Sequence, residues 1–169
     1  MTEQTEPALP LPGWGHALRV IGLTGKSPDD AAAVLDRMAV VDRMTRYAWA
    51  FDERQAELLT DCFTDDVTWE ASLAGASVIG PFVGRDAVVE FMSSFWPEQL
   101  DQRRHMITNA VVEDQLHDSA TLYTYHLLMS ATSSEIRPVT CGFYRVHMRR
   151  TGVGEWKIQH LVAGYDIPF

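Results

Sequence analysis

Cysteine is scarce in this sequence. Only Cys62 and Cys141 occur among 169 residues, far apart and each within an apolar pattern. That excludes a disulfide framework and a paired-cysteine metal site, and it predicts two buried free thiols in a reducing cytoplasm. Basic residues are few as well: 14 Lys and Arg face 23 Asp and Glu, a formal net charge of −9. With Arg103-Arg104 and Arg149-Arg150 as the only basic doublets, a phosphate backbone would be repelled, so no nucleic-acid partner is expected. Long apolar runs are missing. Stretches such as Ala31–Leu35 fall far short of the roughly 20 residues that cross a bilayer, so no membrane span is expected. The acidic start Met1-Thr2-Glu3-Gln4-Thr5-Glu6 is followed by no apolar core of a secretory signal, and export is not expected. No GxGxxG, GxxxxGK[ST], HExxH or Ser/Cys nucleophile motif occurs, so neither a nucleotide cofactor nor a metal is expected. His126, His147 and His160 stand on three successive predicted strands, without the spacing of a metal site.

What is present is an ordinary globular mixture, 46% hydrophobic and 22% charged, of a length suited to one core. Pro7, Pro10, Pro12, Gly13, Gly15, Gly22 and Gly25 resist regular structure and predict an N-terminal arm over residues 1–26, with one domain over 27–169. Ser27-Pro28-Asp29-Asp30 then reads as a helix start, with Ser27 as N-cap and Pro28 in the first position. Val34, Met38, Val41, Met44, Ala48 and Phe51 recur at helical spacing and predict a long amphipathic helix. Asp52-Glu53-Arg54-Gln55 has the form of a capping box ahead of a second helix, and a third is expected over Asp86–Phe95, stopped by Pro97. Between these, Val67–Ala71 reads as a strand and 75–84 as a loop or loose hairpin.

From residue 105 onward the pattern turns to β-branched and aromatic strands, over 105–116, 120–132, 136–150 and 155–167, separated by turn-prone His117-Asp118-Ser119 and Thr151-Gly152-Val153-Gly154. Helices first and long strands afterwards is an α+β order. The strands carry apolar residues such as Tyr123, Tyr125, Phe143 and Val146 on both faces. One face can line a pocket and the other needs cover, which predicts a homodimer.

Four polar groups interrupt apolar surroundings. Asp52 falls in the middle of the long helix's apolar stripe, where a carboxylate is either paired or functional, unless the helix has already ended and Asp52 caps the next one. Tyr47, five residues earlier, lies at the edge of that stripe with a hydroxyl that needs a partner. His105 and Asn109, an even number apart on a predicted strand, should face the same side.

The segments Tyr47-Ala48-Trp49-Ala50-Phe51-Asp52, Leu58-Leu59, Phe63-Thr64-Asp65-Asp66-Val67 and Gly84-Arg85-Asp86-Ala87-Val88 resemble the first half of the SnoaL-like group in the nuclear transport factor 2-like superfamily. Arg104-His105-Met106-Ile107-Thr108-Asn109, Cys141-Gly142-Phe143-Tyr144, Gly154-Glu155-Trp156-Lys157-Ile158 and Gly164-Tyr165 resemble the second. The likeness covers about residues 30–167. It implies a cone-shaped α+β barrel, with three N-terminal helices packed on a strongly curved antiparallel sheet that encloses a pocket. The branch it resembles most holds scytalone dehydratase and the bile-acid 7α-dehydratases. The latter carry a Tyr and an Asp five residues apart and a His at the start of the first long strand, which implies Tyr47, Asp52 and His105 as catalytic residues. Phe51, Trp69, Asn109, His126, Tyr144 and Arg145 are the expected substrate-binding residues. The sequence departs from both dehydratases: Ser130 and Arg145 stand where scytalone dehydratase has a second His and an Asn, and Leu128 and Ile167 where the bile-acid enzymes have an acid and an Arg. The expected activity is therefore general: acid–base chemistry (dehydratase, isomerase or cyclase) on a hydrophobic carbonyl-bearing molecule such as a polyketide, steroid or terpenoid. An epoxide hydrolase, or a non-catalytic domain like a dioxygenase small subunit, is the alternative.

Overall fold

The computed structural model describes residues 26–74 and 77–167; the arm expected over 1–26 lies outside the described residues apart from Lys26. Helix α1, Ala31–Asp52, opens at Asp30, whose Oδ1 accepts the Ala33 N–H at 2.8 Å. The carboxylate nearest the first free N–H groups wins the cap, so the helix starts later than the Ser27-Pro28 reading predicts. Burial begins at Val40 and continues through Met44, Tyr47 and Ala48, whereas Val34 and Met38, expected within the buried stripe, stay exposed.

Asp52 is the last residue of α1 and not the cap of α2, Ala56–Asp61. The chain turns through Arg54 at φ 55, and Gln55 holds the N-cap position with no side-chain hydrogen bond. The capping-box reading is thereby replaced: the turn carries the Asp52 side chain inward, away from the N–H groups of α2.

The strands are β1, Phe63–Leu73, and β2, Ser77–Val83, then, after α3, Arg85–Ser93, come β3, Gln102–Glu113, β4, Ser119–Ala131, β5, Ile136–Arg150, and β6, Trp156–Tyr165. They form one sheet in the order β2-β1-β6-β5-β4-β3. Every ladder is antiparallel except β1 with β6, which is parallel. Each ladder shifts register once, at positions such as Thr108/Val111, Leu128/Met129 and His147/Met148. Such bulges increase local twist and bend the strands, which curls the sheet into a cone-like trough. Helix α1 crosses the concave side against β3 and β6, while α3 lies on β1 and β2. Along β4, Leu122, Thr124, His126, Leu128 and Ser130 are buried and alternate with Tyr123, Tyr125 and Leu127 on the convex side. Of the two free cysteines, Cys62 is buried as expected, but Cys141 is exposed, because its place in the β5 alternation puts it on the convex face.

Two glycines hold β5 against β6. A Cβ on Gly142 would stand 1.8 Å from the Gly164 carbonyl oxygen, and one on Gly164 would stand 1.7 Å from the Phe143 ring. Overpacking of this kind typically costs about 1–3 kcal/mol. Urea denaturation of Gly142→Ala and Gly164→Ala should show both midpoints falling. The Gly142 variant should lose more, since its obstacle is backbone and the other is a ring that can turn. A wild-type midpoint for Gly142→Ala would contradict this packing.

Candidate active site

The candidate site forms where the last turn of α1 meets the first residues of β3. Several bonds fix that junction: Gln102 Nε2 donates to the Asp52 carbonyl at 3.1 Å, Arg54 to the Gln99 carbonyl at 2.7 Å, and Arg104 pairs with Glu53 at 2.8 Å. Within it the Asp52 carboxylate accepts the His105 backbone N–H on Oδ2 at 2.7 Å, and its Oδ1 lies 2.6 Å from His105 Nδ1. Both side chains are buried, at 5% and 8% exposure. A carboxylate removed from water must be compensated by charge or hydrogen bonds, and here both oxygens are engaged. Nδ1–H donating to Asp52 leaves Nε2 as the imidazole nitrogen for a ligand. The Phe51 ring meets the imidazole edge-on, with centroids 5.3 Å apart.

His105 opens onto a cavity of about 480 Å3, walled by Tyr47, Phe51, Trp69, Leu73, Ile79, Phe91, Met92, Leu128 and Tyr165 and rimmed by Ser94, Phe95, Glu98, Gln99 and Arg103. That volume suits a small organic ligand, and the walls are mainly apolar and aromatic. Burial holds the Tyr47 phenol well above its usual pKa, with the Tyr165 ring adding to the rise and the Trp69 indole opposing it. Burial likewise pushes Tyr165 up to about 12. Near neutral pH both phenols keep their protons, so each can act as a hydrogen-bond donor.

The cavity thus gathers Tyr47, Phe51, Trp69 and His105, with Asp52 directly behind the imidazole. The other expected substrate-binding residues lie elsewhere. His126 and Tyr144 form a layer behind the wall: their rings stack at 4.5 Å, Tyr144 meets Tyr47 edge-on at 6.3 Å, and His126 Nε2 lies 3.4 Å from the Gly164 carbonyl. Arg145 is on the convex face of β5, opposite to Tyr144, beside Tyr123 and Val162. Asn109 is exposed, at φ 54 in the β3 bulge. The bulge breaks the alternation that would have kept it level with His105. His147 and His160 face each other across β5 and β6, and His160 Nε2 bonds Glu70 at 2.8 Å. Among the described residues no three His, Cys, Asp or Glu side chains are placed to hold a metal, and no helix is long and apolar enough to cross a membrane.

Sequence reasoning missed the α3 wall and the rim. Phe91 stacks on Phe82 at 3.9 Å and approaches Trp69 at 5.0 Å; its spacing from Phe95, i to i+4, was the available signal. At the rim, Asp101 receives the Ser130 hydroxyl and pairs with Arg103 Nε at 2.7 Å. Those partners come together only once β3 and β4 are in register.

A family model described as a SnoaL-like domain matches residues 32–162. Among solved structures, a protein of unknown function from Mycobacterium tuberculosis superposes with a TM-score of 0.70 at 21% identity, covering 84% of this chain and 78% of its own. The beta subunit of a putative aromatic-ring-hydroxylating dioxygenase from Novosphingobium aromaticivorans gives 0.71 at 16% identity, over 82% and 94%. A putative aromatic ring hydroxylase from the same genus and species gives 0.64 at 26%, over 85% and 94%. No curated protein matches the chain.

The layer behind the wall carries a pH dependence. Burial, followed by the nearby His105, lowers the His126 pKa to about 4 from its ordinary value. Above the unfolded value of about 6.5, His126 is neutral in both states and has no effect. Below it the unfolded chain takes up a proton that the folded one refuses, so stability falls as pH drops toward 4. From this residue the loss between pH 7 and pH 5 is about 2 kcal/mol. Urea midpoints at the two pH values should fall more in the wild type than in His126→Gln, and the His126 ring should titrate by NMR near pH 4. A ring titrating above pH 6 would refute the assignment.

Proposed function

On the premise that the chain belongs to the SnoaL-like domain family, we propose that it is a cofactor-independent acid–base enzyme of dehydratase, isomerase or cyclase type. Its substrate in this reading is a hydrophobic carbonyl-bearing small molecule such as a polyketide, steroid or terpenoid. One observation carries it: a buried carboxylate that holds a buried imidazole by both Nδ1 and the backbone N–H, with the imidazole on the wall of an aromatic cavity.

In this scheme His105 Nε2 takes a proton from the carbon next to the carbonyl. The C–H electron pair moves into an enol or enolate, and Tyr47 donates to the carbonyl oxygen. Asp52 keeps the tautomer and stabilises the imidazolium as it forms. The imidazolium then returns its proton, either to a hydroxyl that departs as water or to another carbon, which moves the double bond. The epoxide-hydrolase alternative wants a carboxylate pair around a water, whereas Asp52 is committed to His105 and Glu98 sits exposed at the rim. The reading of a non-catalytic ligand-binding or scaffold domain draws on the likeness to a dioxygenase beta subunit. Two free cysteines accord with a cytoplasmic protein.

The test is a panel of bicyclic and steroidal ketones and β-hydroxy ketones. NMR in D2O follows exchange of the protons next to the carbonyl, and ultraviolet absorbance follows enone formation. Wild-type protein should accelerate exchange of at least one class, and Asp52→Asn and His105→Gln should each lower the rate by about 10²–10⁴ while keeping the wild-type circular dichroism. Wild-type rates equal to buffer across the panel would remove the enzyme reading and leave the binding domain.

The proposal includes a homodimer, because Met106, Tyr125, Leu127 and Ile136 stay exposed around the convex face of the sheet, and an apolar patch of that kind calls for cover. Multi-angle light scattering at micromolar concentration should return twice the chain mass. A stable monomer would remove this part of the proposal.

A further inference from the structure

The mouth of the cavity carries a cation that the proton transfer does not use. Arg103 stands two residues before His105 in β3, and along this stretch Arg104 and Met106 are exposed while Arg103, His105 and Ile107 turn toward the trough. The side chains of Arg103 and His105 therefore leave the strand about 7 Å apart on one face, and both line the cavity. Their partners across the ladder, Ser130 and Leu128, are buried on the inner face of β4.

The guanidinium is fixed on one side and open at its end. Its Nε is shielded from solvent and stands 2.7 Å from Asp101 Oδ2, an ion pair whose N–H is not aligned on the oxygen. Asp101 in turn receives the Ser130 hydroxyl, and its carbonyl accepts Gln99 Nε2 at 3.2 Å. The Arg103 side chain is nevertheless 23% exposed, and its two terminal amino groups stay accessible with no partner among the described residues. Glu98, on the same rim, is exposed and forms no ion pair with Arg103. Contact with Asp101 uses only the Nε side. A fork of two parallel N–H groups left free at the entrance of an apolar cavity matches the two oxygens of a carboxylate, whereas a ketone or an alcohol would engage only part of it.

We infer that Arg103 binds the carboxylate of an apolar acid, its terminal amino groups forming a two-pronged clamp at the cavity mouth while the hydrocarbon body of the ligand lies inward against Phe51, Trp69 and Phe91. Asp101 and Ser130 are positioning residues that keep the end of the fork turned to the mouth. The substrate class narrows from hydrophobic carbonyl compounds to those that also carry a carboxylate at one end, and the clamped end decides which carbon reaches His105. The inference deepens the proposed function and rests on its cavity, but not on its proton transfer.

The test uses two probes of nearly equal shape, cinnamate and cinnamamide, titrated into the full chain by calorimetry near neutral pH. Wild-type protein should bind cinnamate at least about tenfold more tightly, the effect of hydrogen bonds to a charged group. Arg103→Gln should abolish that preference, weakening cinnamate about tenfold or more and leaving cinnamamide within about twofold. Arg103→Lys keeps the charge without the fork and should retain only part of the preference. Added sodium chloride should weaken cinnamate and leave cinnamamide unchanged in the wild type. Equal losses for both probes in Arg103→Gln would mean packing alone and would overturn the inference. So would a wild type that shows no preference, a result that does not depend on any variant folding, and a full preference in Arg103→Lys would overturn the clamp. An acid preference in a protein that catalyses no proton exchange would keep this inference and sink the enzyme reading, whereas proton exchange without an acid preference would do the reverse.

Discussion

A carboxylate taken out of water governs how this molecule is assembled. Asp52 ends α1 inside the protein, where an unpaired negative charge would be prohibitive. It is tolerated because β3 offers two donors from a single residue, the His105 backbone N–H and its imidazole. That requirement fixes the end of α1 over the start of β3, and the flanking contacts of Gln102, Arg54 and Arg104 follow the same seam. With α1 so anchored, Tyr47 and Phe51 face the trough one turn apart, and His105 becomes a wall residue instead of a surface one. Removing either partner would strand the other, so structural and chemical roles cannot be separated at this pair by stability alone.

The cavity exists because the sheet is bent. A flat sheet of six strands would leave α1 lying directly on the side chains of β4 and β5, with no room for a ligand. Register shifts in every ladder curl the strands away from the helix, and the space beneath fills with aromatic rings from α1, β1 and α3. The same bulges decide which polar residues reach that space. In β3 the bulge at Asn109 follows His105 by two repeats of the pleat, so the strand's first half serves the cavity and its second half does not.

Legibility in the sequence follows how local the cause is. Tyr47 and Asp52 could be placed because a helical stripe obeys one period and a carboxylate in it breaks the pattern visibly. The long strands were legible for the same reason: Ile136–Arg150 was read with the bounds that the structure has. His105 was placed through its position at the start of β3 together with the family resemblance. Asn109, Arg145, Cys141, His126 and Tyr144 depended on strand register, bulges and the depth of the trough, which arise between segments distant in the chain. The helix start moved from Ser27 to Asp30 through competition among adjacent cap-forming residues, and the capping box failed because Arg54 turns left-handed. Phe91 and Tyr165 went unassigned, since nothing in their own segments tells a cavity wall from ordinary core.

The parallel pairing of β1 with β6 ties early chain to late chain. Phe63 through Leu73 lie beside Ile158 through Tyr165, so the β1–β2 hairpin joins the rest of the sheet only through the last of the described strands. During synthesis, β3, β4 and β5 can pair with one another as they emerge, but β1 must wait with an open edge until the ribosome has delivered β6. Long-range pairing of this kind slows folding and lengthens the time that strand edges stand open to other chains. Completion of the trough thus coincides with the end of translation of the fold, and a nascent chain stalled before Trp156 would display α1 and Trp69 with no closed cavity between them.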